Sequence, residues 1–345
     1  MTGLTIEEES SFELNKDLYS EYIKNIIDPA VPKFMSSMRS YVRFHYLFVM
    51  LIAIQLVSLV CFITILIKSY LVALSLAMFF LTLFSYFILR FYFQTKKKEQ
   101  FQTITKHFLT QCQRCIGYEN SMPEHYVSLA NASMLLVDRL KGAEYTVYRA
   151  PRLLASWNSW FEKMSCWWHW GDFHLIKEML IEASIAEHVK LVRCEPTSLD
   201  AHAALANAYV ALSGLYMPPN KHSDQDEQWY PSGCFNDEMG QKFRDTSEKA
   251  IEEFKILCEY APNDPWVYTQ LAYSYHDLQM PLEEIKAYER VLKLNPGDKE
   301  TLYKLGILYF QQGMNAAGLE IYEELKRTHY KKAELLMGYY GVGSQ

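Results

Sequence analysis

A basic face is missing from this sequence. Against 34 Lys and Arg stand 40 Asp and Glu, a mild net charge of -6 over 345 residues, which gives no reason to expect a nucleic-acid partner. Several short motifs that carry chemistry are missing too. There is no GxxxxGK followed by Ser or Thr, no HExxH and no GxSxG, so a phosphate-cradling loop, a zinc peptidase and a nucleophile elbow lack a sequence basis. "GYYGVGSQ", Gly338 to Gln345, is Gly-rich but follows no strand. "SDQDEQ", Ser223 to Gln228, lacks the Gly and closing Glu of a calcium loop and reads as a solvated loop. No cleavable signal is visible: the first residues include Glu7, Glu8 and Glu9, and the first apolar run starts too late. The 7 cysteines, an odd number in a chain expected to face the cytoplasm, point to reduced thiols.

What is present is unevenly spread. Apolar residues make up 50% of the chain, and Phe44 to Phe93 is almost continuously hydrophobic. As one helix that block would run about 75 Å, more than twice the roughly 30 Å of a bilayer's hydrocarbon, so it must double back. Ile67-Lys68-Ser69-Tyr70 is the polar break at which it turns. Two transmembrane helices are therefore predicted, about 44–67 and 71–93, rather than a buried pair in a soluble core. Lys33, Arg39 and Arg43 precede the first span and Arg90, Lys96, Lys97 and Lys98 follow the second, against Lys68 alone in the turn. That bias places both termini in the cytoplasm and predicts an integral, two-span membrane protein. Gln55, Ser58, Thr64, Ser75, Thr82 and Ser85 can hydrogen-bond between the spans or onto their own backbone, and no carboxylate or Arg sits at mid-depth, so the hairpin reads as an anchor in the lipid bilayer. Two spans with a minimal turn and both ends on one side resemble the bilobed hydrophobic domain of chlamydial inclusion membrane proteins, a likeness of pattern over Phe44 to Phe93; it implies an inclusion membrane and a soluble part in a host cytosol.

On either side of the spans the pattern stays helical. Phe12, Leu14, Leu18, Tyr19, Tyr22, Ile23, Ile26 and Ile27 recur at helical spacing behind a capping box of Ser10 and Glu13, with Pro29 and Pro32 expected to interrupt the helix. Phe101, Ile104, Phe108, Cys112 and Cys115 continue a stripe up to Gly117, the expected stop. The predicted segments are 1–43, a cytoplasmic helical piece; 44–93, the hairpin; 94–121, a juxtamembrane helix; and 122–345.

That last segment repeats itself. Asp264-Pro265 is a helix start, a capping Asp with Pro at the first helical position. Tyr268, Leu271, Ala272 and Tyr275 then share one face, and Tyr288, Val291 and Pro296 mark a second helix and its end. A shift of 34 residues brings Leu302, Leu305, Gly306, Tyr309, Tyr322 and Leu325 onto corresponding positions. The pattern resembles the tetratricopeptide repeat (TPR), in which small residues let paired helices cross closely and large ones fill the wedge between neighbours. It departs at Glu284, where the family usually has Ala, and at Tyr330, where Pro would close the unit; Gly318 restores the small residue in the last repeat. Two earlier units are interrupted. One, about 197–262, pairs His202, Leu205, Ala206 and Tyr209 with Ala250, Phe254 and Leu257 across an insertion, Met217 to Phe235. The other, about 122–196, pairs Leu129 and Ala130 with Ser184, His188 and Leu191 across Gly142 to Asp172. With regular repeats at 264–297 and 298–330 and a cap at 331–341, the fold class is all-α: a membrane hairpin followed by a TPR-like α-solenoid with insertions in its first two repeats.

The resemblance implies a concave surface, built by the first helix of each repeat, that takes extended peptides or helices. Steps of three, four and three place Asp200, Ala203, Asn207 and Val210 on it, then Trp266, Thr269, Tyr273 and His276, then Glu300, Tyr303, Ile307 and Phe310. This partner-binding groove is aromatic and apolar with few cations. TPRs that clamp a chaperone's C-terminal carboxylate use Lys and Arg where Thr269, Tyr273 and Glu300 stand, so that clamp is not expected, and an amphipathic helix or hydrophobic peptide is the predicted protein partner. The competing reading packs Ile307 and Phe310 under the C-terminal cap and Tyr273 against a neighbour.

Two features remain. Ser156 to His174 carries five of the 7 tryptophans; it reads as an aromatic plug over the first repeat, or else, with Arg149 and Arg152, as a piece resting on the bilayer. Cys112 and Cys115 with Cys166 and His169 offer the ligand count of tetrahedral zinc, but both pairs fall on expected helices, so no metal and no cofactor is predicted. The function expected is a membrane-anchored scaffold without enzyme activity. The alternatives are a structural subunit assembled through the hairpin and a zinc-binding protein.

Overall fold

The computed structural model describes residues 5–61, 63, 69–120, 122–148, 156–217, 229–328 and 331–341, with side chains from Ile26 onward except that of Ser69. The hairpin turn at Lys68, the pair Arg149 and Arg152, the run Ser223 to Gln228, Tyr330 and the last four residues lie outside these, as do the side chains of the N-terminal stripe. Every described regular element is a helix: α1 Thr5–Cys61, α2 Ser69–Ile116, α3 Pro123–Arg139, α4 Asn158–Cys194, α5 Leu199–Tyr216, α6 Asp237–Tyr260, α7 Pro265–Asp277, α8 Pro281–Leu294, α9 Lys299–Gln311, α10 Asn315–Arg327 and α11 Ala333–Leu336. The chain divides into two compact units, Met1–Ala183 with Ser223–Cys234 and Ser184–His222 with Phe235–Gln345. That boundary falls within α4 and divides the first expected repeat, leaving α3 in one unit and Ser184, His188 and Leu191 in the other.

In the first unit α1 and α2 form an antiparallel pair. Phe34 and Phe101 rings lie 6.4 Å apart, Tyr41 and Phe93 rings 5.8 Å apart, and the Gln55 amide donates to Thr82 Oγ1 at 2.9 Å. The pair has two different surfaces. From Ile27 to Val42 and from Phe101 to Cys112 it has a seam: Ile27, Ala30, Phe34, Met38 and Tyr41 are buried on one side, Phe101, Thr105, Phe108 and Cys112 on the other. Their steps of three and four are those that keep a helix facing its partner. Between these and the turn the large apolar side chains point outward: Leu47, Met50, Val57, Phe84 and Phe87 are all exposed. Thr82 also donates to the Met78 carbonyl at 2.9 Å, so it uses both the bonds expected of a span hydroxyl.

Pro29 and Pro32 do not interrupt α1, which runs through both. Both rings are exposed while Ile27, Ala30 and Phe34 are buried, so the prolines leave the seam undisturbed, and packing of the inner face holds the helix together. The second span and the juxtamembrane helix are likewise one helix, α2. Gly117 stops it as expected, at φ +63°, with the Tyr118 amide donating to the Gln113 carbonyl at 3.0 Å, a Schellman closure that needs a left-handed residue. Cys112 and Tyr126 lie in the core that α1, α2 and α3 share.

The insertion expected at Gly142 to Asp172 is shorter than predicted, because α4 begins at Asn158 and the tryptophan-rich stretch is its N-terminal half. It is not a plug. Trp157, Trp160, Trp167 and Trp168 are exposed, and the residues that α4 buries there are Ser165, Cys166, His169, Phe173 and His174. Lys97 Nζ lies 2.7 Å from the Asp172 carboxylate, both largely enclosed, and His169 Nδ1 lies 3.1 Å from the same oxygen.

In the second unit each helix packs on the next from α5 to α10. Ala206, Ala250, Phe254, Leu257 and Leu271 form one stretch of core and Ala272, Tyr288, Leu305, Phe310, Ile321 and Leu336 another. Of the positions expected to be core from the repeat, Ala206, Ala250, Phe254, Leu257, Leu271, Ala272, Tyr288 and Leu305 fall here, whereas Tyr268 is half-buried and belongs to neither stretch. The caps repeat too: Asp264 accepts from the Trp266 amide at 2.9 Å, and Asp298 accepts from the Glu300 and Thr301 amides at 3.1 and 3.2 Å, each satisfying an amide that a helix start leaves free. Leu336 of α11 lies against Gly306, where an added Cβ would meet its Cδ2 at 2.8 Å. The C-terminal segment thus closes the end of the core.

Candidate functional site

The first helices α5, α7 and α9 carry the predicted groove residues, and the structure sorts these into three groups. Asn207, Trp266, Tyr273, His276 and Glu300 are exposed. Thr269, Tyr303 and Ile307 are half-buried, with Tyr303 and Ile307 leaning on the core; the Thr269 hydroxyl donates to the Pro265 carbonyl at 2.9 Å. Phe310 is a correction: it is 0% exposed, with its ring on Gly318 and 5.6 Å from the ring of Tyr340. At the end of the stack the C-terminal residues cover that position, so Phe310 belongs to the core.

The aromatic side chains of this face are held in place. Trp266, 42% exposed, stands edge-on to Phe254 at 6.3 Å, and Tyr273, 40% exposed, edge-on to Tyr288 at 6.5 Å. One side of each ring is fixed by the core and the rest is open. Two cations expected neither by pattern nor by resemblance join them. Lys304 Nζ lies 3.0 Å from the Tyr273 hydroxyl and 4.7 Å from its ring centroid, while Lys332 lies 3.1 Å from the Glu300 carboxylate and 5.6 Å from the Tyr303 ring. The surface is less poor in cations than the sequence implied. Glu300 and Lys304 stand at a helical spacing that could have given the first; no sequence signal gives Lys332, which arrives from the C-terminal segment.

At the edge of the face, His276 Nδ1 lies 3.1 and 3.2 Å from the two carboxylate oxygens of Glu284. Glu284 is buried. Burial pushes its carboxyl above the ordinary range, and His276, whose attraction pulls the other way, does not restore it. This arrangement can present ring faces, ammonium groups and hydroxyls to a ligand chain. It suits binding by stacking and cation–π contact.

The four residues considered for zinc do not form a site. Among the described residues no group of three or more His, Cys, Asp or Glu side chains could hold a metal ion. Cys112 is buried in the α1–α2–α3 core and burial pushes its thiol up to about 12; Cys166 is buried as well and pushed up to about 11, chiefly by burial.

No family model matches the chain, and no curated protein does. Solved structures that match in shape, at low similarity, include TPR proteins. The crystal structure of MamA protein is 17% identical with a TM-score of 0.33, covering 48% of this chain and 75% of that one. TTC0263, a thermophilic TPR protein of Thermus thermophilus, is 16% identical with a TM-score of 0.33, covering 73% and 94%. The TPR2AB domain of yeast Sti1 in its complex with pHSP90 is 14% identical with a TM-score of 0.25, covering 74% and 95%.

Proposed function

We propose that this protein is a membrane-anchored scaffold that holds a protein partner on the α5–α7–α9 face, both chain ends lying in the cytoplasm. The observation that carries the partner reading is the alignment of Trp266, Tyr273 and Tyr303 along successive first helices, each ring braced by the core or a lysine and open on the other side. Braced aromatic groups lose little side-chain freedom when a ligand settles on them, which favours their use as binding anchors. The ligand that suits them is an amphipathic helix or extended peptide with apolar side chains for the rings and a carboxylate for Lys304 or Lys332. The anchor reading is supported by the apolar stretches of α1 and α2, which reach mean hydropathies of 2.2 and 2.3 while 0% and 6% of their residues are buried within the chain. A soluble core helix would hide such residues. An anchor confines the groove to a surface and raises its effective concentration for partners there.

The test is photo-crosslinking in native membranes from Trp266 and from Tyr273, each replaced by a photoreactive residue. A protein adduct common to both positions and lost with Lys304→Glu is the expected result. Recovery of lipid and self-adducts alone would contradict a partner groove. Copurification after exchanging the spans for an unrelated anchor separates this reading from assembly through the hairpin.

A further inference from the structure

The exposed tryptophans of α4 have no place in a groove on the other unit. Trp160, Trp167 and Trp168, with the half-buried Phe161 and Met164, fall on one side of the helix, within an arc of about 120° at helical spacing, and Trp157 stands in the short turn just before it. Trp157, Trp160 and Trp167 are 58%, 54% and 58% exposed. The opposite side buries Cys166, His169 and Phe173, so α4 is apolar on two faces and only one of them is covered. A large open aromatic face of this kind marks a contact surface.

Its position says what it meets. The Trp168 ring lies 5.6 Å from that of His45, and the Arg90 guanidinium lies 5.7 Å over it. His45 and Arg90 stand at the same end of the two apolar stretches. One turn later on α4, Asp172 pairs with Lys97 at 2.7 Å. Passing back from Asp172 to Trp168, α4 moves from the level of Lys97 to that of His45 and Arg90, where the apolar stretches begin. A second strap supports the same level: the Tyr148 ring is 6.1 Å from that of Tyr46 and 5.4 Å from that of His169.

We infer that the N-terminal half of α4 is a lipid-interface foot, with Trp157, Trp160 and Trp167 seated at the boundary between headgroups and acyl chains. The indole has an apolar body for the chains and an N–H for the ester and phosphate oxygens, the combination that enriches Trp at this depth. The exposed Lys163 stands among Ser156, Trp157, Ser159 and Trp160 around one shallow hollow, within reach of a phosphate. Asn158 donates to the Glu162 carboxylate at 2.7 Å, which gives that acid a partner near the headgroup phosphates. The foot rests on the membrane reading of the hairpin, and it adds a second attachment that fixes how the first unit stands on the bilayer.

The experiment uses the full chain reconstituted into phosphatidylcholine vesicles, with and without phosphatidylcholine brominated near the headgroup end of its acyl chains. Bromine quenches the emission of a tryptophan that it touches. Quenching of the native protein is expected, with most of it lost in the combined Trp157→Phe, Trp160→Phe and Trp167→Phe variant, while both proteins keep the same helicity by circular dichroism and both resist alkaline carbonate extraction. Resistance to carbonate with no quenching, or with quenching that the triple variant leaves unchanged, overturns the foot and leaves the hairpin anchor standing; the aromatic face would then belong to a protein partner. Release of the native protein by carbonate overturns both.

Discussion

At the scale of single residues, the last two repeats solve the same contact in different ways. The side chain near the end of the first helix lies over the start of the second: in one repeat His276 on Glu284, in the next Phe310 on Gly318. Glu284, which stands where the tetratricopeptide pattern usually has Ala, is thus a buried acid with a partner, and the Gly at 318 is required, since a Cβ there would lie 2.6 Å from the Phe310 ring. Gly318→Ala is expected to destabilise the second unit by about 1 to 3 kcal/mol, because a fully buried ring cannot give way; a denaturant titration reads it. The turns show a similar pairing. Gln279 has φ 56° and Gly313, at the equivalent place, φ 72°. A left-handed side-chain residue is strained by roughly 1 to 2 kcal/mol, part of which glycine's looser unfolded chain gives back, so Gln279→Gly should raise Tm by a few degrees at most. Glu284 gives a pH prediction. Its folded pKa is raised above the ordinary 4.5, so between the two values the folded chain holds more protons than the unfolded one and stability falls as pH rises through that window. Glu284→Gln should therefore raise Tm at neutral pH, with the gain shrinking as the pH falls toward the ordinary carboxylate value; a gain independent of pH would contradict the assignment.

At the scale of elements, α1, α2 and α4 show how packing completes or overrides local rules. Two prolines predict a broken helix, yet α1 continues because their rings face outward and the inner seam is intact. Gly117 predicts a stop, and α2 stops, because that signal is a backbone conformation. The seam residues Phe101, Phe108 and Cys112 were legible as a stripe; their partner Phe34 on α1 was not, since nothing local says which helix a stripe will face. In the same way the tryptophan cluster was visible but its exposure was not. The clasp that holds α4 to α2 is Lys97–Asp172 at 2.7 Å with His169 at 3.1 Å. Burial alone would push the Asp172 carboxyl up, but His169 and Lys97 together hold it below the ordinary 3.8. This contribution to stability is present above that value and lost as the pH falls through the lower folded one. Asp172→Ala would leave Lys97 enclosed without a counter-charge, and a loss of about 3 to 5 kcal/mol in the first unit is expected, read as a faster onset of limited proteolysis in detergent or vesicles.

Across the molecule as a whole, α1 and α2 run antiparallel, from Phe34 beside Phe101 to Gln55 beside Thr82. If both cross the bilayer, the ends of the hairpin lie on one side. Epitope tags at the two termini of the full chain in sealed vesicles should accordingly be removed together by external protease or protected together; removal of one alone would exclude the two-span topology. Residue order was enough to establish the all-helical class, the hairpin's apolar length, the repeat of 34 residues and the Asp caps at 264 and 298, because helix period, spanning length and end-capping are set by residues a few places apart. Folding in three dimensions was needed to show that Phe310 is core, that Lys304 and Lys332 brace the aromatic face, and that Trp168 lies beside Arg90 while Trp160 and Trp167 stand open. Each of these depends on chain brought from a distant part of the sequence, and a side chain's burial or charge environment is a property of what packs against it.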